Sequence, residues 1–196
     1  QSGFIADLGY ETYQKILSQA VKELRNDEFS ELYKEEVRAG ERNEGTDFVD
    51  ECLFETDIQM CFSEQYVPTG SERLMLYREL DGLQSDEQVE AFVRRMEDRF
   101  GPIPEEGKEL VQVVVLRRLG RYFGSERIML KRGRMRLYFI ANPDSPFYQS
   151  QAFDRIIQFA NANAHRCRME ESSTRASLLI SDVGSVREAV ELLKRI

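Results

Sequence analysis

The chain has 196 residues, 41% hydrophobic and 32% charged, with 27 Lys+Arg against 35 Asp+Glu for a net charge of -8. That is enough apolar material for one core with an extension, and too much for a disordered tail. No run of eighteen apolar residues and no basic-then-apolar start occurs, so neither a spanning helix nor a signal peptide is expected, no membrane is a partner, and the expected location is cytoplasmic.

Tyr10, Tyr13, Leu17, Ala20 and Leu24 fall at helical spacing and predict an amphipathic N-terminal helix. From Asp27 to Glu64, 13 acids face three bases, which is the composition of a solvated linker. "ECLFETDIQMCF" then suggests a short strand. "TGSE" at Thr69 and "SDEQ" at Ser85 have the hydroxyl and N3 pattern of capping boxes and predict two helix starts. In the second helix Val89, Phe92, Val93, Met96 and Phe100 form a core stripe, while Glu90, Arg94 and Asp98 run along the outside at i+4 steps that allow local pairing. Gly101 and Pro102 end this helix, and Pro104 followed by Glu105 and Glu106 starts the next, with Pro104 at N1. The length of that third helix favours helix over strand through Val113, Val114 and Val115.

The period then changes. Met135, Leu137 and Phe139 alternate with Arg134, Arg136 and Tyr138 in a hairpin about Arg132-Gly133. A helix carrying Phe153, Ile156, Ile157, Ala160 and Ala164 follows, then a strand pair at "HRCRME" and "ASLLIS", and a last helix opened by Ser185 to Glu188. The expected fold is α+β: helices followed by a β-β-α-β-β-α unit with a mainly antiparallel sheet, because the hairpin connections are too short for parallel crossovers, plus the N-terminal helical extension.

Little in this sequence suggests catalysis. Cys52, Cys61 and Cys167 are odd in number and lack CxxC spacing, so reduced, buried thiols are expected rather than disulfides or a metal site. His165 is the sole histidine and stands in no nucleophile or metal motif. No phosphate-cradling GxxxxGK[ST] loop occurs. Catalytic and metal residues are therefore expected to be none, and no cofactor is expected to bind these residues. The charge is uneven: residues 1–100 hold 24 acids against 11 bases, net -13, and residues 101–196 hold 11 against 16, net +5. Arg117, Arg118, Arg121, Arg127, Lys131, Arg132, Arg134 and Arg136 form a basic run interleaved with Tyr122, Phe123 and Tyr138. One reading is a nucleic-acid contact, centred on Arg117, Arg118, Arg121, Lys131 and Arg132. The other is a helix end and a solvated hairpin edge.

Three stretches together point to a family. "QSGFIADLGYETYQKILSQAVKEL", "YVPTGSERLMLYREL" and "MEDRFGPIPEEGKEL" resemble, in order, the C-terminal end of the bacterial transcription-repair coupling factors, through Gln1, Ser2, Gly3, Gly9, Tyr10 and Tyr13, then Tyr66, Val67, Pro68, Arg73, Leu74 and Tyr77, then Asp98, Arg99, Phe100, Gly101 and Pro104. The resemblance is specific over about the first 125 residues and looser beyond. It implies a piece of an ATP-driven DNA translocase that displaces stalled RNA polymerase from double-stranded DNA and recruits the repair protein UvrA, with ATP and magnesium bound upstream of Gln1. Residues 1–26 would be the tail of the motor, with Gln1 and Gly3 the remnant of its translocation motif. Residues 27–50 would be the acidic linker, and 51–196 the terminal regulatory domain. In the family that domain is an inhibitory clamp over the N-terminal UvrA-binding module, so Glu90, Glu97 and Asp98 become the expected intramolecular contact. The family's acidic contact also includes a carboxylate one turn before Asp98, where this chain has Arg95.

Overall fold

The computed structural model describes residues 47–172 and 175–196. The N-terminal helix, Gln1, Gly3 and most of the acidic linker lie outside the described residues. The described chain runs β1 (Leu53–Thr56), α1 (Gly70–Asp81), α2 (Asp86–Phe100), α3 (Glu105–Tyr122), β2 (Ser125–Lys131), β3 (Arg134–Phe139), a 3-10 turn (Pro146–Gln149), α4 (Gln151–Ala162), β4 (Cys167–Glu171), β5 (Ala176–Ser181) and α5 (Val186–Leu193). This is the expected mixed α+β order.

The strands form one five-stranded sheet in the order β1-β2-β3-β5-β4. β2, β3, β5 and β4 pair antiparallel. β1 pairs parallel with β2, Leu53 opposite Arg127 and Thr56 opposite Leu130. That pairing is reached through the three helices between them, which supply the long connection a parallel pair requires. Alternation decides the sheet's two faces. Ile128, Leu130, Met135, Leu137, Phe139, Leu178 and Ile180 are all buried on one side. On that side α3 packs against β1, β2 and α5, and α4 against β4. α3 is buried nearly all round, from Leu110 and Val111 through Val113, Val114, Val115 and Leu116. Its β-branched run is therefore a central core helix and not a strand, as an all-apolar circumference implies.

Local signals explain the element ends, with some corrections. Ser85 and Ser185 each accept from the backbone N–H three residues on, Gln88 at 3.3 Å and Glu188 at 3.0 Å. In both cases the N3 side chain reaches one residue further back than a capping box does: Gln88 accepts from Gln84 N–H and Glu188 from Gly184 N–H. Thr69 is the N-cap of α1 but its hydroxyl makes no cap bond. Pro104 is the N-cap of α3, not its first helical residue. His165 stands in an exposed turn ahead of β4 rather than on the strand, and Ala164 lies beyond the end of α4. In α2, Val89, Phe92 and Met96 are buried, whereas Val93 and Phe100 are only half-buried at its flanks. The hairpin turns on Arg132 and Gly133, with φ of 53° and 70°, the positive pair of a two-residue type I′ loop.

Candidate docking surface

Among the described residues, several that carried the family resemblance form one connected network. Arg73, 5% exposed, donates to the carbonyls of Val67 at 2.7 Å and Pro68 at 3.2 Å. It also pairs with Glu64 at 3.2 Å. Tyr77 accepts from the Phe62 N–H at 3.1 Å. Tyr66 donates to the carbonyl of Gly101 at 2.9 Å, and its ring lies 5.7 Å from that of Phe100. The segment before α1 is thereby pinned at one end to α1 and at the other to the C-terminus of α2. Gly101 closes that end: its N–H donates to Glu97 O at 2.9 Å. A Cβ there would meet nothing within 4 Å, yet its φ of 82° with ψ of -172° is backbone that only glycine adopts readily. These side chains are structural. They hold α1 and α2 side by side and fix what α2 shows to solvent.

Two ion pairs cross from α2 to α1: Arg95 to Glu79 at 2.5 Å, and Arg99 to Glu72. Both cations at this end of α2 are therefore spent on carboxylates of α1 and not on the neighbouring Glu97 and Asp98. At about 100° per residue, Glu87, Glu90, Arg94, Glu97 and Asp98 fall on the half of α2 turned away from Val89, Phe92 and Met96. Glu90 and Glu97, seven residues apart, share one line; Asp98 lies about 100° further round, beside Ala91 and Arg95 on the flank that meets α1. Glu90 is paired with Arg94 at 3.5 Å across a fully solvated i,i+4 step, both side chains 70% exposed, so its charge is only weakly committed. Among the described residues neither Glu97 nor Asp98 has an ion-pair partner. Burial, and after it the nearby Glu97 carboxylate, raise the pKa of the Tyr66 hydroxyl, which puts Glu97 on the Tyr66 side of α2. The arrangement offers no general acid or base pair; it offers a fixed anionic face on a rigid helix.

The basic run does not form one patch. Arg117, 14% exposed, holds Asp81 at 2.5 Å and Glu51 at 3.6 Å and donates to Cys52 O at 2.9 Å. Arg118 holds Asp86, and Arg121 holds Asp47 at 2.9 Å. These three tie α3 to the loops around α1, α2 and β1. Lys131 shares Glu55 with Arg127, at 3.3 Å and 3.5 Å, while Arg132 is exposed and its N–H donates to Asp57 at 3.0 Å. Cys52, which accepts from Arg117, and Asp57, which accepts from the Arg132 N–H, stand at opposite ends of β1, about 16 Å apart at the usual rise per strand residue. Periodicity could not reveal this, because the acids that engage the α3 arginines lie 32 to 74 residues away in sequence.

Burial pushes the Cys52 thiol up to about 12, Arg117 opposing it, and burial also raises Cys61 and Cys167. Among the described residues no group of three or more His, Cys, Asp or Glu could hold a metal ion, and no helix is long and apolar enough to cross a membrane.

Residues 56–150 match the family model of the TRCF domain. The transcription-repair-coupling factor of Mycobacterium tuberculosis is 27% identical over 146 residues, covering 74% of this chain and 11% of that protein. That of Rickettsia typhi is 23% identical over 194 residues, covering 98% of this chain and 15% of that protein. The chain thus spans only 11% to 15% of the length of these relatives. Among solved structures, the crystal structure of a C-terminal domain of transcription-repair coupling factor superposes with a TM-score of 0.57 at 12% identity, over 74% of this chain and 92% of that one. At that identity it speaks for the fold alone.

Proposed function

Because the chain carries a TRCF domain and belongs with the transcription-repair coupling factors, we propose that residues 51–196 are their terminal regulatory domain, which acts by docking and not by chemistry. The docked partner is the N-terminal UvrA-binding module of the same protein, and docking hides the surface that UvrA needs. In this reading residues 1–26 are the tail of the motor, with Gln1 and Gly3 the end of its translocation motif, and residues 27–50 are the tether. ATP and magnesium belong to the upstream motor, and double-stranded DNA and RNA polymerase are partners of the whole translocase.

One observation carries the reading: Arg95 and Arg99 neutralise Glu79 and Glu72 of α1 and so leave Glu97 and Asp98 of α2 unpaired on an exposed face. Unpaired carboxylates on a rigid helix are available to a basic surface, and electrostatic complementarity of this kind sets which partner docks and how fast. A coupling of about 1–3 kcal/mol suffices to shift a partner's affinity several-fold or more. The departure at Arg95 also finds a physical role, since its guanidinium is occupied by Glu79 and does not cancel Asp98. The alternative, a nucleic-acid contact through Arg117, Arg118, Arg121, Lys131 and Arg132, is disfavoured by the acids that already engage the first three of them.

A binding titration of the 196-residue chain against the N-terminal module separates the two readings. Saturable binding that weakens with salt and is lost in Asp98→Lys supports docking; a salt-dependent shift of DNA with no module binding supports the alternative.

A further inference from the structure

Successive strand residues point to opposite faces, so the partners of the buried Leu178 and Ile180 face away from α3 and α4. The register sets out that outer side. Arg136 stands opposite Leu179 and Leu179 opposite Arg168, while Tyr138 stands opposite Ser177 and Ser177 opposite Glu170. Arg134 stands opposite Ser181, whose N–H donates to Arg166 O at 2.8 Å and whose carbonyl accepts from the Arg166 guanidinium at 3.0 Å. Half-buried Leu179 is therefore the centre of a block that holds four arginines and one carboxylate. At the usual strand spacing and rise, each arginine Cα lies within about 8 Å of the Leu179 Cα. Ser177 alone in this block is buried. Arg136 is held by Glu170 at 2.5 Å and Arg166 by Glu188 at 3.8 Å. Arg134 and Arg168 are exposed, and among the described residues no carboxylate engages either. Arg134 also lines an open hollow of about 490 Å³ with Arg132 and Ser181, where Asp182 is the one opposing acid.

We propose that this open sheet face is a docking site for an acidic polypeptide segment, one that sets an aliphatic side chain between carboxylates. The site uses no residue of the α2 face and stands whether or not that face docks. Charge complementarity gives the class of partner. Arg134 and Arg168, on opposite sides of Leu179, are free to take carboxylates, and a guanidinium fork meets a carboxylate through two parallel bonds. Exposed ion pairs alone are screened by salt and hold a partner weakly. An apolar contact ringed by polar ones is what retains a partner, and Leu179 among the arginines has that form. The same features speak against nucleic acid, which is held by many phosphate contacts and by bases stacked on open aromatic planes. Only Arg134 and Arg168 are free in the block, and the ring of Tyr138 is covered by the Arg127 guanidinium at 4.2 Å. The net charge of -8 on the whole chain also repels a polyanion at long range.

The test is fluorescence anisotropy of the 196-residue chain at about 50 mM and about 500 mM salt, with two labelled probes, a short peptide of alternating glutamate and leucine and an oligothymidylate. The peptide is expected to bind at low salt, and more tightly than the oligothymidylate. Arg134→Gln and Arg168→Gln should each weaken peptide binding about two- to five-fold at low salt and less at high salt. Leu179→Thr, which keeps a strand-forming residue, should weaken it about five-fold at both. Arg155→Gln removes an exposed cation from α4, across the sheet from this face, and should bind like the parent chain. Circular dichroism melts check that each variant is folded. If Arg134→Gln and Arg168→Gln bind like the parent, or Arg155→Gln weakens binding as much as they do, the site is refuted. If the oligothymidylate binds more tightly than the peptide and loses affinity in the same variants, the face takes nucleic acid and the polypeptide is overturned as its occupant. No peptide binding by the parent chain at low salt refutes the proposal outright.

Discussion

Glu109 offers the sharpest test of how the fold is held. It sits on α3, 9% exposed, and its carboxylate accepts from the N–H of Val186 at 2.5 Å. Val186 is the first residue of α5 and is itself fully buried, so one orphan donor of that helix is satisfied by a charge 77 residues away in sequence. Glu109→Ala leaves a buried N–H unpaired, at a cost of about 1–3 kcal/mol. It also removes an anion from the helix's positive end, about 0.3–1 kcal/mol. Relief of the carboxylate's own desolvation offsets part of the loss, leaving a net destabilisation of about 2–3 kcal/mol. For a domain of this size that corresponds to a fall in Tm of about 5–10 °C. Glu109→Gln keeps an acceptor in place and should cost about 1 kcal/mol. Thermal melts by circular dichroism read both, and amide exchange at Val186 should quicken selectively. A Glu109→Ala chain that melts within about 1 °C of the parent would refute the idea that this bond couples α3 to α5.

Arg73→Met should lower stability by about 2–4 kcal/mol in urea unfolding, because the carbonyls of Val67 and Pro68 lose a buried charged donor; Arg73→Lys should recover only part of this. The Asp86 carboxyl is held below its ordinary value of 3.8, first by the bond from Lys194 and then by the Arg118 charge, against burial. Its folded pKa being depressed, its contribution to stability is full above 3.8 and fades as pH falls further, through the folded pKa. Lys194→Met should therefore flatten the acid limb of the unfolding curve, and an unchanged limb counts against that pairing. With its pKa near 12, the Cys52 thiol should be thiolate to roughly one part in ten thousand at pH 8 and resist thiol reagents until the chain unfolds; half-buried Cys61 should react first.

Much of the fold was legible in short windows, and what was not depended on partners far along the chain. Ser85 and Ser185 cap the helices they precede, and Arg132-Gly133 turns the hairpin, because a cap and a two-residue loop are settled by neighbouring residues. Thr69 looks the same in sequence but does not use its hydroxyl. The parallel seat of β1 beside β2 is set by tertiary packing and leaves no mark in a four-residue strand. The acidic character of α2 was visible, but not which of its carboxylates are free. Glu90, Arg94 and Asp98 read as a chain of local pairs; only Glu90 and Arg94 pair, while Arg95 and Arg99 reach across to α1. The α3 arginines left a nucleic-acid contact and a solvated helix end both open; they are engaged by Asp81, Asp86 and Asp47.

The most direct measurement places Glu97→Lys with Asp98→Lys in the full-length coupling factor and records UvrA affinity together with basal ATPase rate. If α2 is the inhibitory docking face, UvrA affinity should rise by about five-fold or more, the scale of a 1 kcal/mol coupling, and the basal ATPase should rise with it. UvrA affinity and ATPase both equal to those of the unaltered protein, with the variant folded and the N-terminal module intact, would contradict it.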